Sequence, residues 1–270
     1  MCILFIALNQ HPTYPLIITA NRDEYFARPS KEMHYWADKP DILGGRDLLK
    51  GGSWLGINKT GDFCAVTNFR TSKLMDPSAI SRGELIARYL NYEPNSLQNH
   101  HGDFISYLRA HSRNYNPFNL VFGNIHGLWV FSSESNDCEP LENGFHSISN
   151  GKIDHPWPKM SLGVDRLTTL ISNGSPNTHG PNVHSRDIDF DSLHQIMVDQ
   201  TQASDDQLPN TGIEPEKERM LSSIFIPGGQ YGTRTTSMLL YSRNQIQVRE
   251  INYDSSSNTR SQQDFKLKTT

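Results

Sequence analysis

The second residue of the chain is a cysteine, Cys2, and its position gives it two reactive groups at once. Removal of the initiator methionine, which small second residues permit, makes Cys2 the first residue, so that it carries a thiol and a free α-amine. The thiol is a nucleophile once ionised, and an α-amine with a pKa near about 8 can accept its proton at neutral pH. This combination predicts attack on a carbonyl group. The alternative is a buried, small apolar residue near a terminus.

The residues around Cys2 predict how it is held. The apolar run 3–8 has the length of a buried strand, and 16–20 is a second β-rich run behind a turn. The antiparallel hairpin that they predict brings the cluster Asn21-Arg22-Asp23-Glu24 to the strand end opposite Cys2. Arg22 and Asp23 are therefore candidate site residues, although such a cluster is also typical of a solvated turn with weak ion pairs.

Further along the chain, strands and helices arrive in separate blocks. Residues 28–56 carry paired glycines and predict a loop-rich segment, without the GxGxxG or GxxxxGK[ST] spacing of a phosphate-binding loop. The capping-box spacing of Ser81 and Glu84 predicts the start of a helix. The other predicted elements are strands at 55–57, 63–67, 119–124, 128–132, 145–149, 233–241 and 246–251, helical segments at 104–110, 164–171 and 190–198, and polar loops at 172–187 and 203–215. This order predicts an α+β fold.

Two asparagines stand directly after predicted strands. Asn68 follows the strand at 63–67, and Asn150 follows the strand at 145–149. Carboxamides at strand ends suit an active site, although asparagine also caps turns there. Arg234 lies in the predicted strand 233–241, which is rich in threonine, and is a further candidate; the alternative for it is a structural ion pair with Asp23.

Composition narrows the function classes. The chain has 270 residues, of which 36% are hydrophobic and 10% aromatic, as in a folded soluble protein. A formal net charge of -4 and the lack of a Lys/Arg-rich run give no indication of nucleic acid or an anionic membrane surface as partner. No apolar stretch approaches the roughly 18 to 20 residues of a membrane span, and the N-terminal run lacks the basic region of a signal peptide.

The cysteines and the chain ends complete this outline. Cys2, Cys64 and Cys138 are odd in number and lack CxxC spacing, which favours free thiols in the cytoplasm over a disulfide framework or a metal site. Without internal repeats or an interdomain linker, 1–252 is predicted to be a single domain. Residues 253–270 are rich in Ser, Thr, Gln and Lys and are predicted to be a disordered tail. Nothing in the sequence sets an oligomeric state.

Several motifs together resemble one family. They are Met1-Cys2, Asn21-Arg22-Asp23-Glu24, Arg28-Pro29, Gly51-Gly52-Ser53-Trp54-Leu55-Gly56, Thr67-Asn68-Phe69-Arg70, Ser81-Arg82-Gly83-Glu84 and Tyr231-Gly232-Thr233-Arg234-Thr235-Thr236-Ser237. As a set, over residues 1 to about 252, they resemble the NRDE family, also called the transport and Golgi organisation protein 2 family. The resemblance implies an N-terminal-nucleophile (Ntn) hydrolase-like fold, a four-layer αββα sandwich of antiparallel sheets. It also implies a role in intracellular haem trafficking.

A second similarity concerns the cysteine Ntn amidases of the choloylglycine hydrolase and penicillin V acylase type. Asn21-x-Asp23, Thr67-Asn68-Phe69 and Ser149-Asn150 before Trp157 are similar to three of their motifs, although those amidases have Arg where this chain has Ala20. The resemblance implies Cys2 as nucleophile and Asp23 as the partner of its amine. Arg22 or Arg234 would stabilise the thiolate, and Asn68 and Asn150 would orient or stabilise the oxyanion.

Two functions therefore stay open, and the partner in both is a small molecule. The first is haem trafficking, with haem as a bound cargo. Axial-ligand candidates include His11, His34, His100, His101 and His146, and the absence of CxxCH argues against covalent attachment. The second is a cysteine amidohydrolase that cleaves a small linear amide, for which no cofactor and no metal are needed.

Overall fold

The computed structural model describes residues 2–71, 75–91, 100–174 and 188–268, which contain thirteen strands, five α-helices and two short 3-10 helices. The strands are β1 Cys2–Leu8, β2 Leu16–Tyr25, β3 Ser30–Trp36, β4 Lys39–Asp47, β5 Leu55–Asn58, β6 Phe63–Asn68, β7 Phe118–Asn124, β8 Gly127–Ser132, β9 Asp137–Pro140, β10 Gly144–Ile148, β11 Tyr231–Tyr241, β12 Gln245–Tyr253 and β13 Thr259–Lys268. The helices are α1 Gly83–Leu90, α2 His100–His111, α3 Pro158–Gly174, α4 Phe190–Met197 and α5 Pro215–Met220.

These strands form two sheets in which all pairs are antiparallel. A six-stranded sheet has the order β10-β1-β2-β11-β12-β13, and a seven-stranded sheet has the order β3-β4-β5-β6-β7-β8-β9. In β1 every residue is buried, but alternate side chains enter different cores. Leu4 and Ile6 face the core between the two sheets, whereas Ile3 and Phe5 face helices. A strand covered on both faces loses the polar alternation of a surface strand, which explains the continuous apolar run.

Helices cover the outer face of each sheet. Helices α3 and α4 pack on the six-stranded sheet, and α1 and α2 pack on the seven-stranded sheet. The predicted α+β class and the four-layer αββα arrangement are both confirmed. The order of layers leaves the ends of β1, β2 and β6 at the edge of the inter-sheet core, which is where the candidate residues fall.

The first hairpin has the register that the sequence predicts, but the segment after it does not form the predicted loops. Cys2 pairs with Arg22 across β1 and β2. Most of 28–56 belongs to β3 and β4, so the prediction of a loop-rich segment is wrong there. Gly44 lies within β4, where a Cβ would come 2.9 Å from the carbonyl oxygen of Leu55. The glycine permits close strand packing there and does not mark a turn.

The predicted helices are present at the predicted positions, but the start of α1 differs from the prediction. Helix α1 begins at Gly83 after Arg82, and the structure gives no side-chain capping bond, so the predicted capping box does not form. The predicted helices at 104–110, 164–171 and 190–198 correspond to α2, α3 and α4. Strand β9 and helix α5 were not predicted. Residues 175–187 of the predicted loop at 172–187 lie outside the described residues.

The predicted disordered tail is wrong for residues 259–268. They form β13, the outermost strand of the six-stranded sheet, paired with β12 from Gln245↔Lys268 to Tyr253↔Thr259. Leu267 is buried and Phe265 packs against the inter-sheet core. An edge strand with one face exposed to solvent needs few apolar residues. The hydrophobicity of this segment is therefore low, and the alternation of apolar and polar residues that predicts a strand is hard to recognise in its sequence.

Gly163 allows α3 to lie directly against β1, and we expect Gly163→Ala to destabilise the fold. A Cβ at this position would overlap the ring of Phe5, which is itself buried in the core under α3. Overpacking of this kind costs about 1 to 3 kcal/mol of unfolding free energy. Urea denaturation measures it. Ser161→Ala, at an exposed position of the same helix, is the matched control and should stay within about 0.5 kcal/mol of the wild type. Equal stability of the two variants would contradict this packing.

Candidate active site

Cys2 lies at the start of β1 and lines a cleft of about 190 Å³ between the two sheets. Its side chain is on the inter-sheet face of β1, and the residue is 7% exposed. The cleft is lined largely by charged and polar residues, among them Arg22, Asp23, Glu24, Arg28, Glu32, Asn68, Arg82, Arg234, Glu250 and Asn252. The nucleophile predicted from the sequence therefore borders the space in which a small ligand fits.

The thiol of Cys2 is kept in its protonated form. Burial raises its pKa to about 11, and the nearby guanidinium of Arg22 acts in the opposite direction. Arg22 stands directly opposite Cys2 in the β1–β2 register, and the carboxylate of Glu24 is 3.8 Å from its guanidinium. At neutral pH the thiol is therefore a weak nucleophile until a base takes its proton.

Asp23 is a buried carboxyl group close to Cys2 and is 1% exposed. Its Oδ1 accepts a hydrogen bond from Thr233 Oγ1 at 2.7 Å, which fixes the carboxylate against β11. Burial raises its pKa, whereas the positive charge of Lys159 and the bond from Thr233 act in the opposite direction. The arrangement holds one carboxylate at the level of Cys2, as the sequence predicts.

Lys159 completes this buried charge group, and the sequence did not single it out. It lies in the first turn of α3, is 4% exposed, and donates from Nζ to the carbonyl oxygen of Leu221 at 2.9 Å. Burial lowers its pKa to about 8, and the carboxylate of Asp23 opposes that shift. A lysine at a helix start usually reaches solvent, so only the fold shows that this one points inward.

The two asparagines have different positions. Asn150 is fully buried, does not line the cleft, and donates from Nδ2 to the carbonyl oxygen of Asn68 at 2.8 Å. Asn68 lines the cleft, and its carboxamide makes no hydrogen bond within the described residues. Ser149 Oγ also donates to the carbonyl oxygen of Cys2 at 3.0 Å. Asn68 is thus the available donor, and the chain around Asn150 holds it beside Cys2.

Arg234 lines the cleft from a β-bulge between Thr233 and Thr235, where β11 shifts register against β2. Its Nη1 donates to the carbonyl oxygens of Tyr25 at 3.1 Å and Arg28 at 2.5 Å. The guanidinium therefore ties down the turn after β2 and forms no ion pair among the described residues. A bulge re-aims one side chain, which explains why this arginine reaches the cleft.

Arg82 is a cation of the cleft that the sequence reasoning missed. It precedes α1, donates from Nη1 to the carbonyl oxygen of Pro117 at 3.0 Å, and forms no ion pair in the described part of the chain. Burial lowers its pKa, and the negative form of Cys2 would raise it. Gly83 brings this end of α1 close, because a Cβ there would lie 2.6 Å from the carbonyl oxygen of Ser53. The sequence motif at 81–84 includes Arg82, but its spacing indicates helix capping and not a site residue.

The histidines lie elsewhere. No histidine of the described residues lines the cleft. His146 Nδ1 pairs with Asp154 Oδ2 at 2.7 Å, His34 Nδ1 bonds the Glu32 carbonyl oxygen at 2.7 Å, and His100 and His101 stack on Tyr89. No group of three or more His, Cys, Asp or Glu side chains among the described residues could hold a metal ion.

At its other end the cleft is acidic. Glu250 of β12 is 1% exposed, and its Oε1 accepts from the Met33 backbone N–H at 2.6 Å and from Asn252 Nδ2 at 3.0 Å. Burial raises the pKa of Glu250 to about 7; the two hydrogen bonds oppose this rise, and nearby Glu32 adds to it. No motif marked this residue in the sequence.

The arrangement of sheets and helices is an N-terminal-nucleophile hydrolase-like fold. The structure is similar to that of an arginine-to-leucine variant of a conjugated bile acid hydrolase from Clostridium perfringens, with a TM-score of 0.50 and 10% sequence identity, covering 98% of this chain and 92% of that chain. Such a likeness concerns the fold alone.

Residues 1–255 match the family described as transport and Golgi organisation 2, and the chain belongs to that family. The human transport and Golgi organization protein 2 homolog is 31% identical over 265 residues, covering 89% of this chain and 88% of that protein. The Drosophila melanogaster transport and Golgi organization protein 2 is 27% identical over 261 residues, covering 89% of this chain and 87% of that protein. Among the described residues, no helix is both long and apolar enough to cross a membrane.

The buried carboxyl of Glu250 should make stability depend on pH. Its pKa is 4.5 in the unfolded reference and about 7 when folded, so between these values the folded state binds the extra proton. Stability from this group is complete below the lower value and is lost as the pH rises through the upper one, by on the order of 3 kcal/mol.

Glu250→Gln removes this loss. Relative to the wild type, the variant should gain unfolding free energy from about pH 5 to about pH 8 in urea denaturation. Glu139→Gln, at an exposed position of β9, is the control and should run parallel to the wild type. A Glu250→Gln curve that also runs parallel would contradict the raised pKa.

Proposed function

We propose that this protein hydrolyses a carbon–nitrogen amide bond in a small linear amide, with Cys2 as the nucleophile after removal of Met1. One observation carries the proposal: Cys2 borders a cleft that also contains the carboxylate of Asp23, the guanidinium of Arg22 and the uncommitted carboxamide of Asn68. The fold supports it, because Ntn hydrolases carry their nucleophile at this end of the first strand.

The chemistry follows from these groups. The thiol sulfur bonds to the amide carbonyl carbon while its proton passes to the α-amine of Cys2, and the carbonyl oxygen becomes an oxyanion. Asn68 Nδ2 donates to that oxyanion. The C–N bond then breaks, the leaving amine takes the proton, and the acyl group stays on sulfur as a thioester. Water hydrolyses the thioester and restores the thiol.

The burial of Cys2 gives the α-amine its importance. A thiol with a pKa raised to about 11 needs a base close by, and the amine of an N-terminal Cys2 is attached to the same residue. Asp23 would hold this amine by accepting a hydrogen bond. If Met1 stays attached, the nitrogen is an amide without basicity, and the mechanism has no base.

Mass spectrometry and a panel of acyl amides test this proposal. We expect the intact mass to show loss of Met1, Cys2→Ala to abolish hydrolysis, and Asn68→Ala to lower kcat/KM by about 10²- to 10³-fold, as the loss of one oxyanion donor does elsewhere. Cys138→Ala, a thiol far along the chain in β9, is the control and should keep full activity. Hydrolysis by protein that retains Met1, or by Cys2→Ala, would refute the mechanism.

A second candidate is haem trafficking, and one observation favours it. Arg22, Arg82 and Arg234 line the cleft and can bind carboxylates such as the haem propionates. The thiolate of Cys2 would be the ligand of the iron, because Cys2 lines the cleft and no histidine among the described residues does. With about 190 Å³ of space, the cleft would take the propionates and leave most of the macrocycle outside.

A haem titration that follows the Soret band tests this candidate. A saturable band at about one haem per chain supports a carrier, and loss of the band in Cys2→Ala identifies the thiolate as the ligand. Cys138→Ala is again the control. A band that does not saturate removes the candidate.

We also propose a cytoplasmic location. Cys2, Cys64 and Cys138 are all free thiols, as expected in a reducing compartment. Imaging with a fluorescent C-terminal tag, which leaves the Cys2 end untouched, tests this, and signal confined to an organelle would contradict it.

A further inference from the structure

The cleft beside Cys2 extends across the six-stranded sheet to a second group of acidic residues. Arg22 lies towards Cys2 together with Asp23 and Glu24, whereas Glu32 and Glu250 lie where β3 meets β12. In the six-stranded sheet, β12 is three strands away from β1. At a strand spacing of roughly 4.8 Å, the axes of β1 and β12 are about 14 Å apart. A ligand that extends across the cleft from Cys2 therefore reaches the carboxyl groups of Glu32 and Glu250 at its other end.

Only one of the two carboxylate oxygens of Glu250 accepts hydrogen bonds among the described residues. Both of its hydrogen bonds, from the Met33 N–H and from Asn252 Nδ2, go to Oε1. Oε2 has no hydrogen-bond partner among the described residues, although the residue is 1% exposed and lines the cleft. Gly45 faces it from the seven-stranded sheet, and a Cβ at Gly45 would lie 4.0 Å from Oε2. The glycine thus keeps the space in front of Oε2 open.

The cations nearby do not satisfy this carboxyl group. Arg22 acts on it only through its charge, and the ion pair of Arg22 is with Glu24. Arg260 is directed to Glu32, at 3.9 Å, and its side chain is 68% exposed. Lys31 is exposed. A buried carboxyl without a full set of partners is costly, and a cationic donor that enters the cleft would supply the missing partner.

We propose that Glu250, with Glu32 beside it, forms a subsite for a protonated amine. The ligand class is a primary ammonium on a short chain, which donates a charge-assisted hydrogen bond to Glu250 Oε2. If the chain is the amide hydrolase proposed above, its substrate is an amide that also carries an ammonium group, placed to reach Glu250 on β12 when the scissile carbonyl is at Cys2. Only this last step rests on the proposed function.

Binding of pentylammonium to the full chain tests the subsite without any catalysis. Calorimetry should give saturable binding to the wild type and to Cys2→Ala, and binding of the neutral analogue pentan-1-ol should be at least about tenfold weaker. Glu250→Gln, which keeps the shape and removes the charge, should weaken pentylammonium binding by at least about tenfold. Glu139→Gln, on exposed β9, should bind as the wild type does. Equal binding of amine and alcohol, no binding to the wild type, or an unaffected Glu250→Gln variant would overturn the proposal.

A second measurement keeps the test independent of any variant. The Met33 amide donates to Glu250, so its NMR signal in the wild type should shift with the same saturation as the calorimetric curve. A Met33 signal that does not move would also overturn the subsite. Hydrolysis of neutral amides without amine binding would leave the hydrolase standing and remove the subsite. Amine binding without hydrolysis of any amide would do the reverse.

Discussion

The pairing of β1 with β2 is the constraint on which the rest of the site depends. Its register sets Cys2 opposite Arg22 and Ile3 opposite Asn21. A slip of one residue would turn every side chain of β1 to the other face and would move Cys2 from the cleft to the helix layer. Two apolar cores fix the register together, because the alternate residues of β1 are buried on both sides. Core packing thus determines where the thiol lies.

The sequence could predict this hairpin because its information is local. Apolar runs of strand length, a turn between them and a charged cluster at the second strand's end all lie within 25 residues, and antiparallel pairing relates them directly. The same holds for α1, α3, β6 and β10, whose patterns were read correctly. The failures have a common origin. In β4, Gly44 permits a close approach to β5, and in β13 the solvent-exposed face lowers the share of apolar residues. Both depend on partners that a local pattern does not show.

Contacts between distant segments decide the rest of the site. Ser149 and Asn150 hold the ends of β1 and β6 together, through bonds to the carbonyl oxygens of Cys2 and Asn68. Thr67 adds a bond to the carbonyl oxygen of Ser149 at 2.6 Å. Lys159 and Glu250 come to the site from α3 and β12, and nothing in their own neighbourhoods distinguishes them from surface residues. Arg82 precedes α1 in a motif whose local pattern indicates helix capping. Their roles appear only when both sheets and both helix layers are in place.

Burial and charge at the cleft act against each other. The inter-sheet position that fixes Cys2 also removes water from its thiol and keeps the thiol protonated. The burial that positions the thiol therefore also lowers its reactivity. Arg22 and Lys159 add positive charge near the thiol, but Lys159 itself has a pKa lowered to about 8 by the same burial. The positive charges therefore lower the pKa of the Cys2 thiol by less than burial raises it. In the hydrolysis proposed above, the base is the α-amine of Cys2, and that amine is free only after Met1 has been removed.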